Sequence, residues 1–273
     1  AAGLHWSPNL VRRVAYDLAD AAEREPNLLL GLLHLPVTQS PLGTHLVRVA
    51  TLAILCTRKV GLRRRAGTEA AMIALCHHLS RPAERSPLEP EDITAEDEAG
   101  LGEVDPLDAA LALCTRGCLN EDLIRRVVGV YEATSPARQR RSLYLDATAN
   151  DLLGRIVSLA DRYTVLAETL KPDEALRLLL SERQEEEPDL MRVFVNTVGL
   201  YPVGTVVELA SGARAVVVEA PRSRAQLLRP VVQIVDGDGA LVDLSQPETG
   251  HGQIVRSLGA GELGVNVSHY FLL

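Results

Sequence analysis

The sequence predicts a mainly α-helical chain followed by a small, all-β, barrel-like C-terminal module. Three observations predict it. Apolar residues recur at helical spacing from about residue 8 to residue 199, and from Tyr201 the period shortens to two. The composition agrees: 47% of the residues are hydrophobic but only 3% aromatic. A core of Leu, Val and Ala suits helices packed closely together. The expected division is 1–199 for the helical part and 200–273 for the β module.

The first helix is expected over 8–24. Ser7 precedes it as a cap, Pro8 suits its first turn, and Leu10, Val11, Val14, Leu18 and Ala21 share one face. A short apolar segment follows at 27–35. Pro41 opens a longer helix through Leu46, Val49, Ala50, Ala53, Ile54 and Val60, which Gly61 closes. A third covers about 66–79, through Ala70, Ile73, Ala74 and His77. Residues 82–108 then turn rich in Pro, Glu and Asp and read as an acidic surface loop.

Helical spacing returns at 106–117 and at 120–133, where Asn120 and Asp122 favour the start of the second helix. The stretch SPARQRR reads as a loop. A long helix is expected from about 146 to 169, another at 173–184 behind Pro172, and a last one at 189–199. SERQEEEP, at 181–188, reads as a solvated helix end. Beyond Tyr201, TVVELASGARAVVVEAP reads as a hairpin turning at Ser211–Gly212. RPVVQIVDGDGALVDL reads as a second hairpin, with Asp236, Gly237, Asp238 and Gly239 in its turn. IVRSL adds a short last strand.

The net charge of −8 argues against nucleic-acid binding, which rests largely on neutralising phosphates, and against an electrostatic hold on anionic membranes. LLLGLLHLPV is too short to span a bilayer, and no basic, apolar, cleavable signal opens the chain. The expected location is the cytoplasm. The chain begins without Met, which leaves open that it is a fragment. Cys56, Cys76, Cys114 and Cys118 all lie in apolar, helix-like contexts and read as buried free thiols. Cys114 and Cys118, one turn apart, offer half a zinc site with no second pair to complete it.

Two histidine signposts stand 32 residues apart: His45 in GTHLVRVATLA and His77 in AMIALCHHLSRP. A third signpost is Asp161, in RIVSLADRYTVL. In this order and at these separations, residues 41–199 resemble the HD-GYP branch of the HD phosphohydrolase superfamily, whose members hydrolyse cyclic di-GMP at a metal centre. The resemblance implies an HD-type helical bundle. It places His45 on the family's first histidine, His77 on the histidine of the HD pair and Asp161 on a later aspartate. GLYPVGTVVEL is similar to the segment that leads into a short β-rich tail in degenerate relatives.

The departures are as telling as the matches. His78 stands where the family has its aspartate, and Arg81 where it has a lysine. Asp105–Pro106 replaces a histidine-proline pair, Val130–Tyr131–Glu132 replaces an HHE triplet, and Arg138–Gln139–Arg140 replaces the GYP tripeptide. The resemblance therefore implies a degenerate member that kept the fold and lost the chemistry.

Each surviving residue has a plainer reading beside the functional one. His45 is either a packed core histidine or a metal contact. His77 and His78 are adjacent, so on a helix they point about 100° apart and only one faces the old site squarely. His78 is an interhelical histidine or a new ligand. Asp161 anchors helix packing or holds a histidine in one tautomer. Arg138, Arg140 and Arg141, with Arg81, offer contacts to an anion, or belong to solvated loops. The acidic 82–108 segment is a linker or a site for a basic partner.

The expected function is a non-catalytic signalling or scaffolding domain with no cofactor. Its partner would be another signalling protein or domain, or a second copy of the chain. Two alternatives remain. One is a residual metal-dependent phosphodiesterase or phosphohydrolase with Fe, Mn or Zn held by His45, His77, His78 and Asp161. The other is a nucleotide-sensing receptor domain.

Overall fold

A computed structural model describes residues 7–33, 41–79, 105–115, 120–135, 151–183, 188–223, 226–235, 239–246, 250, 252–258 and 270. Arg81, Arg138, Arg140, Arg141, Cys118, most of the acidic 82–108 segment and Asp236–Asp238 of the second hairpin lie outside these residues.

Nine helices form among them: α1 (Pro8–Arg24), α2 (Pro26–Leu32), α3 (Pro41–Val60), α4 (Arg64–Cys76), α5 (Pro106–Cys114), α6 (Glu121–Thr134), α7 (Leu152–Thr169), α8 (Pro172–Arg183) and α9 (Pro188–Val198). Five strands follow: β1 (Val206–Leu209), β2 (Arg214–Glu219), β3 (Val231–Ile234), β4 (Leu241–Asp243) and β5 (Ile254–Leu258).

Prolines and polar caps set most helix starts, as their fixed φ and side-chain acceptors dictate. Asn120 accepts from the Leu123 amide at 2.8 Å, and Asp105 from the Leu107 amide at 2.8 Å. Ser7 occupies the cap position of α1 but makes no side-chain cap bond.

One expected boundary is corrected. The long helix was expected to begin near residue 146, but the backbone is extended at Asp151 and α7 starts at Leu152. Asp151 caps it, accepting from the Gly154 amide at 3.4 Å, and donates its own amide to the Glu132 carboxylate. Two polar anchors at one residue fix the start more firmly than apolar spacing does.

The helical core is built from small residues. Ala50, Ala53, Ala70, Ala71, Ala74 and Ala160 are fully buried, and they let α3, α4 and α7 approach closely. Gly129 serves the same end, since a Cβ there would overlap Ile73 Cδ1.

All neighbouring strands pair antiparallel, in the order β4-β3-β2-β1-β5. One face buries Val207, Leu209, Ala215, Val217, Val232, Ile234 and Val242. The alternation along β1, with Val206 on the opposite face, is the period-two pattern of the sequence made physical.

Among the described residues the expected barrel is not closed. Closure would need β4 to pair with β5, yet they are the two edges of an open sheet. β4 contributes only three residues, and Leu241 on β4 and Val255 on β5 are both exposed. So few and such short paired positions do not supply the tilt and stagger that closure requires.

The sheet docks on the helices through polar contacts. Lys171 Nζ donates to the Ser257 carbonyl at 3.3 Å, the Ser257 hydroxyl donates to Asp173 at 2.5 Å, and the Ala220 amide donates to Asn27 Oδ1 at 3.1 Å. Gly199 ends α9 with a φ of +86° and passes the chain against Pro221, a turn that an L side chain would strain.

Candidate metal centre

Three helices bring four side chains to one point. His45 lies one turn into α3, His77 caps the C-terminus of α4, His78 follows it, and Asp161 lies in the middle of α7. Each offers one donor atom, and the four donor atoms lie within 4.8 Å of one another. All three histidines are buried, while the Asp161 side chain retains 28% exposure. Among the described residues, this is the group of histidines, cysteines and carboxylates that converges in the manner of a metal site.

The carboxylate is the hub. Asp161 Oδ1 lies 2.8 Å from His45 Nε2, 3.2 Å from His77 Nε2 and 3.9 Å from His78 Nε2. Burial pushes the Asp161 carboxyl up, but hydrogen bonding to His45, His77 and His78 outweighs it and holds the group well below the usual carboxylate range. The site therefore presents an anionic oxygen surrounded by imidazole nitrogens.

The far sides of two rings are also engaged. His77 Nδ1 contacts the Ala74 carbonyl, one turn back on α4. A carbonyl can only accept, so Nδ1 carries a proton and Nε2 faces Asp161, as a donor where the ring holds a second proton and as a lone pair where it does not. An imidazole lone pair and a carboxylate oxygen 3.2 Å apart call for a cation, or a proton, between them. His45 Nδ1 lies 3.6 Å from Glu168 Oε1, so this ring stands between two carboxylates. Glu168 in turn faces Arg48, whose guanidinium burial makes less basic and Glu168 partly restores. Metal-bound histidines are characteristically backed by a carboxylate or a carbonyl hydrogen-bonded to the second nitrogen; His77 has such a bond to Ala74, while Glu168 stands just beyond hydrogen-bond length from His45 Nδ1. The donor set and its backing fit a metal ion.

The sequence reading let only one of His77 and His78 face the site squarely; His77 Nε2 is at hydrogen-bond length from Asp161, and His78 Nε2 also approaches it, at 3.9 Å. α4 ends at Cys76, and the two rings lie against each other with centroids 4.1 Å apart and planes inclined by 56°. Asp161 sits in the angle between them, so both ring nitrogens approach the same oxygen. The plain readings of His45 and Asp161 are partly right as well: His45 is a packed core residue, and Asp161 ties three helices together.

The remaining positions singled out in the sequence are used differently. Asp105 is the cap of α5. Val130 is fully buried in the helical core and Tyr131 is half-buried. Glu132 is buried and accepts from the Asp151 amide, locking α6 to the start of α7. Cys56 and Cys76 are buried free thiols, and burial pushes the Cys56 thiol up to about 12. Cys114 was expected to be buried but is exposed, because the short α5 turns that face to solvent along with Leu107 and Leu111.

Sequence reasoning missed Glu168. The signal was its spacing of seven from Asp161, two helical turns along one face of α7. It also missed the pair of Arg126 and Glu69, which meet side-on at 2.8 and 2.9 Å across α6 and α4.

Comparison with known proteins points the same way as the site. The chain is 28% identical over 241 aligned residues to a protein of Pseudomonas aeruginosa named a cyclic di-GMP phosphodiesterase. The alignment covers 81% of this chain and 55% of that protein, so the chain spans about half the length of its relative. No protein-family model matches the chain, and no solved structure matches it. Among the described residues, no helix is long and apolar enough to cross a membrane.

Proposed function

We propose that this chain is a degenerate HD-GYP-type domain that does not hydrolyse cyclic di-GMP and acts in signalling through contacts with another protein or domain. One observation carries the reading: of the positions where the resemblance places further metal ligands, Asp105 has its carboxylate on a helix cap, Val130 is packed in the core and Tyr131 is a half-buried phenol, so none offers an imidazole to a second metal ion.

His45, His77, His78 and Asp161 would hold a single ion. When bound, such an ion supplies positive charge that polarises a phosphoryl oxygen or acidifies a water. What the chain's own residues do is narrower. The Ala74 carbonyl orients the His77 ring, Glu168 sets a negative charge beside His45, and Asp161 gathers the three histidines into one corner between α3, α4 and α7. Phosphodiester hydrolysis needs an activated nucleophile and charge neutralisation together, and groups that act as a unit are strongly non-additive.

The test is product formation from cyclic di-GMP over hours, with excess manganese or ferrous iron, for the wild type and for His78→Asp. Neither is expected to turn over, because one restored carboxylate leaves Asp105 and Val130 in their structural roles. Metal-dependent turnover that disappears in His77→Ala would overturn this reading. It would promote the second one, a residual metal-dependent phosphohydrolase, which the convergence of four donors favours.

A further inference from the structure

We infer that His78 is a fourth protein donor that closes the centre, so that His45, His77, His78 and Asp161 hold one zinc-type ion with no position left for a water or a substrate. The inference rests on the single-ion site proposed above and goes beyond it in assigning the metal class and the coordination.

The argument begins with donor spacing. A tetrahedral ion with bonds of about 2.0 Å sets its donors about 3.3 Å apart. The three nitrogens stand 2.8, 3.2 and 3.9 Å from Asp161 Oδ1, values that bracket that edge. The rings are arranged around a point rather than stacked in a row. Their planes are inclined by 38° between His45 and His77, 75° between His45 and His78, and 56° between His77 and His78. Three differently tilted rings and a carboxylate can surround a small ion from four directions.

Donor chemistry points to the same class of metal. Carboxylate-rich sites suit magnesium, manganese and other hard cations, whereas imidazole suits zinc, copper, iron and nickel. Placing His78 where the resemblance expects an aspartate exchanges one hard anionic donor for a neutral imidazole. It lowers the negative charge of the donor set by one and shifts the preference toward zinc. Sites with four protein donors are characteristic of structural zinc, whereas catalytic sites keep one position open.

The outer contacts hold the arrangement in place. Ala74 fixes the tautomer of His77, and the Glu168 carboxylate stands behind His45. A metal here would join α3, α4 and α7, so binding would stabilise the helical core by linkage.

The experiment uses the full chain, stripped with chelator and reloaded with zinc, manganese or cobalt(II). Zinc is expected to bind one per chain and to raise the melting temperature well above manganese at equal concentration. Cobalt(II) is expected to give the intense visible bands of a four-coordinate ion. His78→Ala should weaken zinc by more than about 100-fold and abolish those bands. Glu168→Gln should cost only the 10–100-fold typical of an outer partner and keep the bands. Far-UV circular dichroism of each stripped variant controls for folding, and His78→Gln is the replacement if His78→Ala does not fold. Zinc held equally by wild type and His78 variants would overturn the inference. So would weak six-coordinate cobalt bands, a preference for manganese, or no binding at all. None of these outcomes by itself restores hydrolysis, so the inference can fail while the non-catalytic reading stands. Metal-dependent turnover would overturn both, because a closed centre leaves no position for a water or a substrate.

Discussion

Two corners of the helical bundle treat their polar residues in opposite ways. At the α3–α4–α7 corner, His45, His77, His78 and Asp161 turn toward one another, and their hydrogen bonds run inward to a shared oxygen. At the α5–α6 corner, Asp105 and Glu132 turn toward backbone amides, and Val130 fills the core between them. Both corners fall at positions that the resemblance assigns to metal ligands. The first gathers donor chemistry at a buried point. The second uses its carboxylates on backbone amides and is otherwise packed with apolar side chains. A buried polar group must be partnered, so a buried position that serves no ligand either makes a structural hydrogen bond or is apolar. The α5–α6 corner shows both outcomes side by side.

The sharpest way to break this comparison is to return an imidazole to the second corner. Val130→His would place a polar ring at a position with no solvent exposure and no built partner. The expected cost is about 2–4 kcal/mol of stability, read from the urea midpoint at unchanged slope. A variant as stable as wild type that gained a second metal per chain would show that the corner is still a site.

A somewhat smaller effect tests how α6 is held against α4. Arg126 and Glu69 pair side-on, with Glu69 almost fully buried and Arg126 partly exposed. Arg126→Met would leave the carboxylate without its partner and should cost about 2–3 kcal/mol. The double variant Arg126→Met with Glu69→Leu should recover most of that loss, because two apolar groups need no partner. If the double variant is worse than the single one, the pair is a net stabiliser beyond mutual neutralisation.

These features differ in how far the sequence could disclose them. Helix starts at Pro8, Pro41, Pro172 and Asn120 are local chemistry, and they are legible because a proline or a cap acts within one turn. The change of period at Tyr201 is legible for the same reason. His45, His77 and Asp161 were legible only through a resemblance, since nothing local says that residues 45, 77 and 161 meet. The pairing of Glu69 with Arg126, and of Glu132 with the Asp151 amide, depends on which helix faces which. The open sheet is similar: each strand is local, but whether β4 meets β5 is decided by strand length and stagger. Glu168 lay within reach, because a spacing of seven on a helix already sets it beside Asp161's face.

The smallest expected effect isolates the role of Asp105 as a helix cap. Asp105 accepts from the Leu107 amide at the start of α5, with Pro106 at the first helical position. If that is its whole role, the charge is dispensable and the acceptor is not. Asp105→Asn keeps an oxygen on a side chain of the same length and should change stability by no more than a few tenths of a kcal/mol. Asp105→Ala removes the acceptor and should cost about 1 kcal/mol. Asp105→His, which restores the residue that the resemblance expects, should behave like the alanine variant, because an imidazole caps poorly. None of the three should alter zinc binding at the other corner, since α5 contributes no donor there. Chemical denaturation of the three variants, with zinc titration of each, reads both quantities. A loss of metal affinity in Asp105→Asn at unchanged stability would mean that the carboxylate reaches the ion, and the two corners would then be one site.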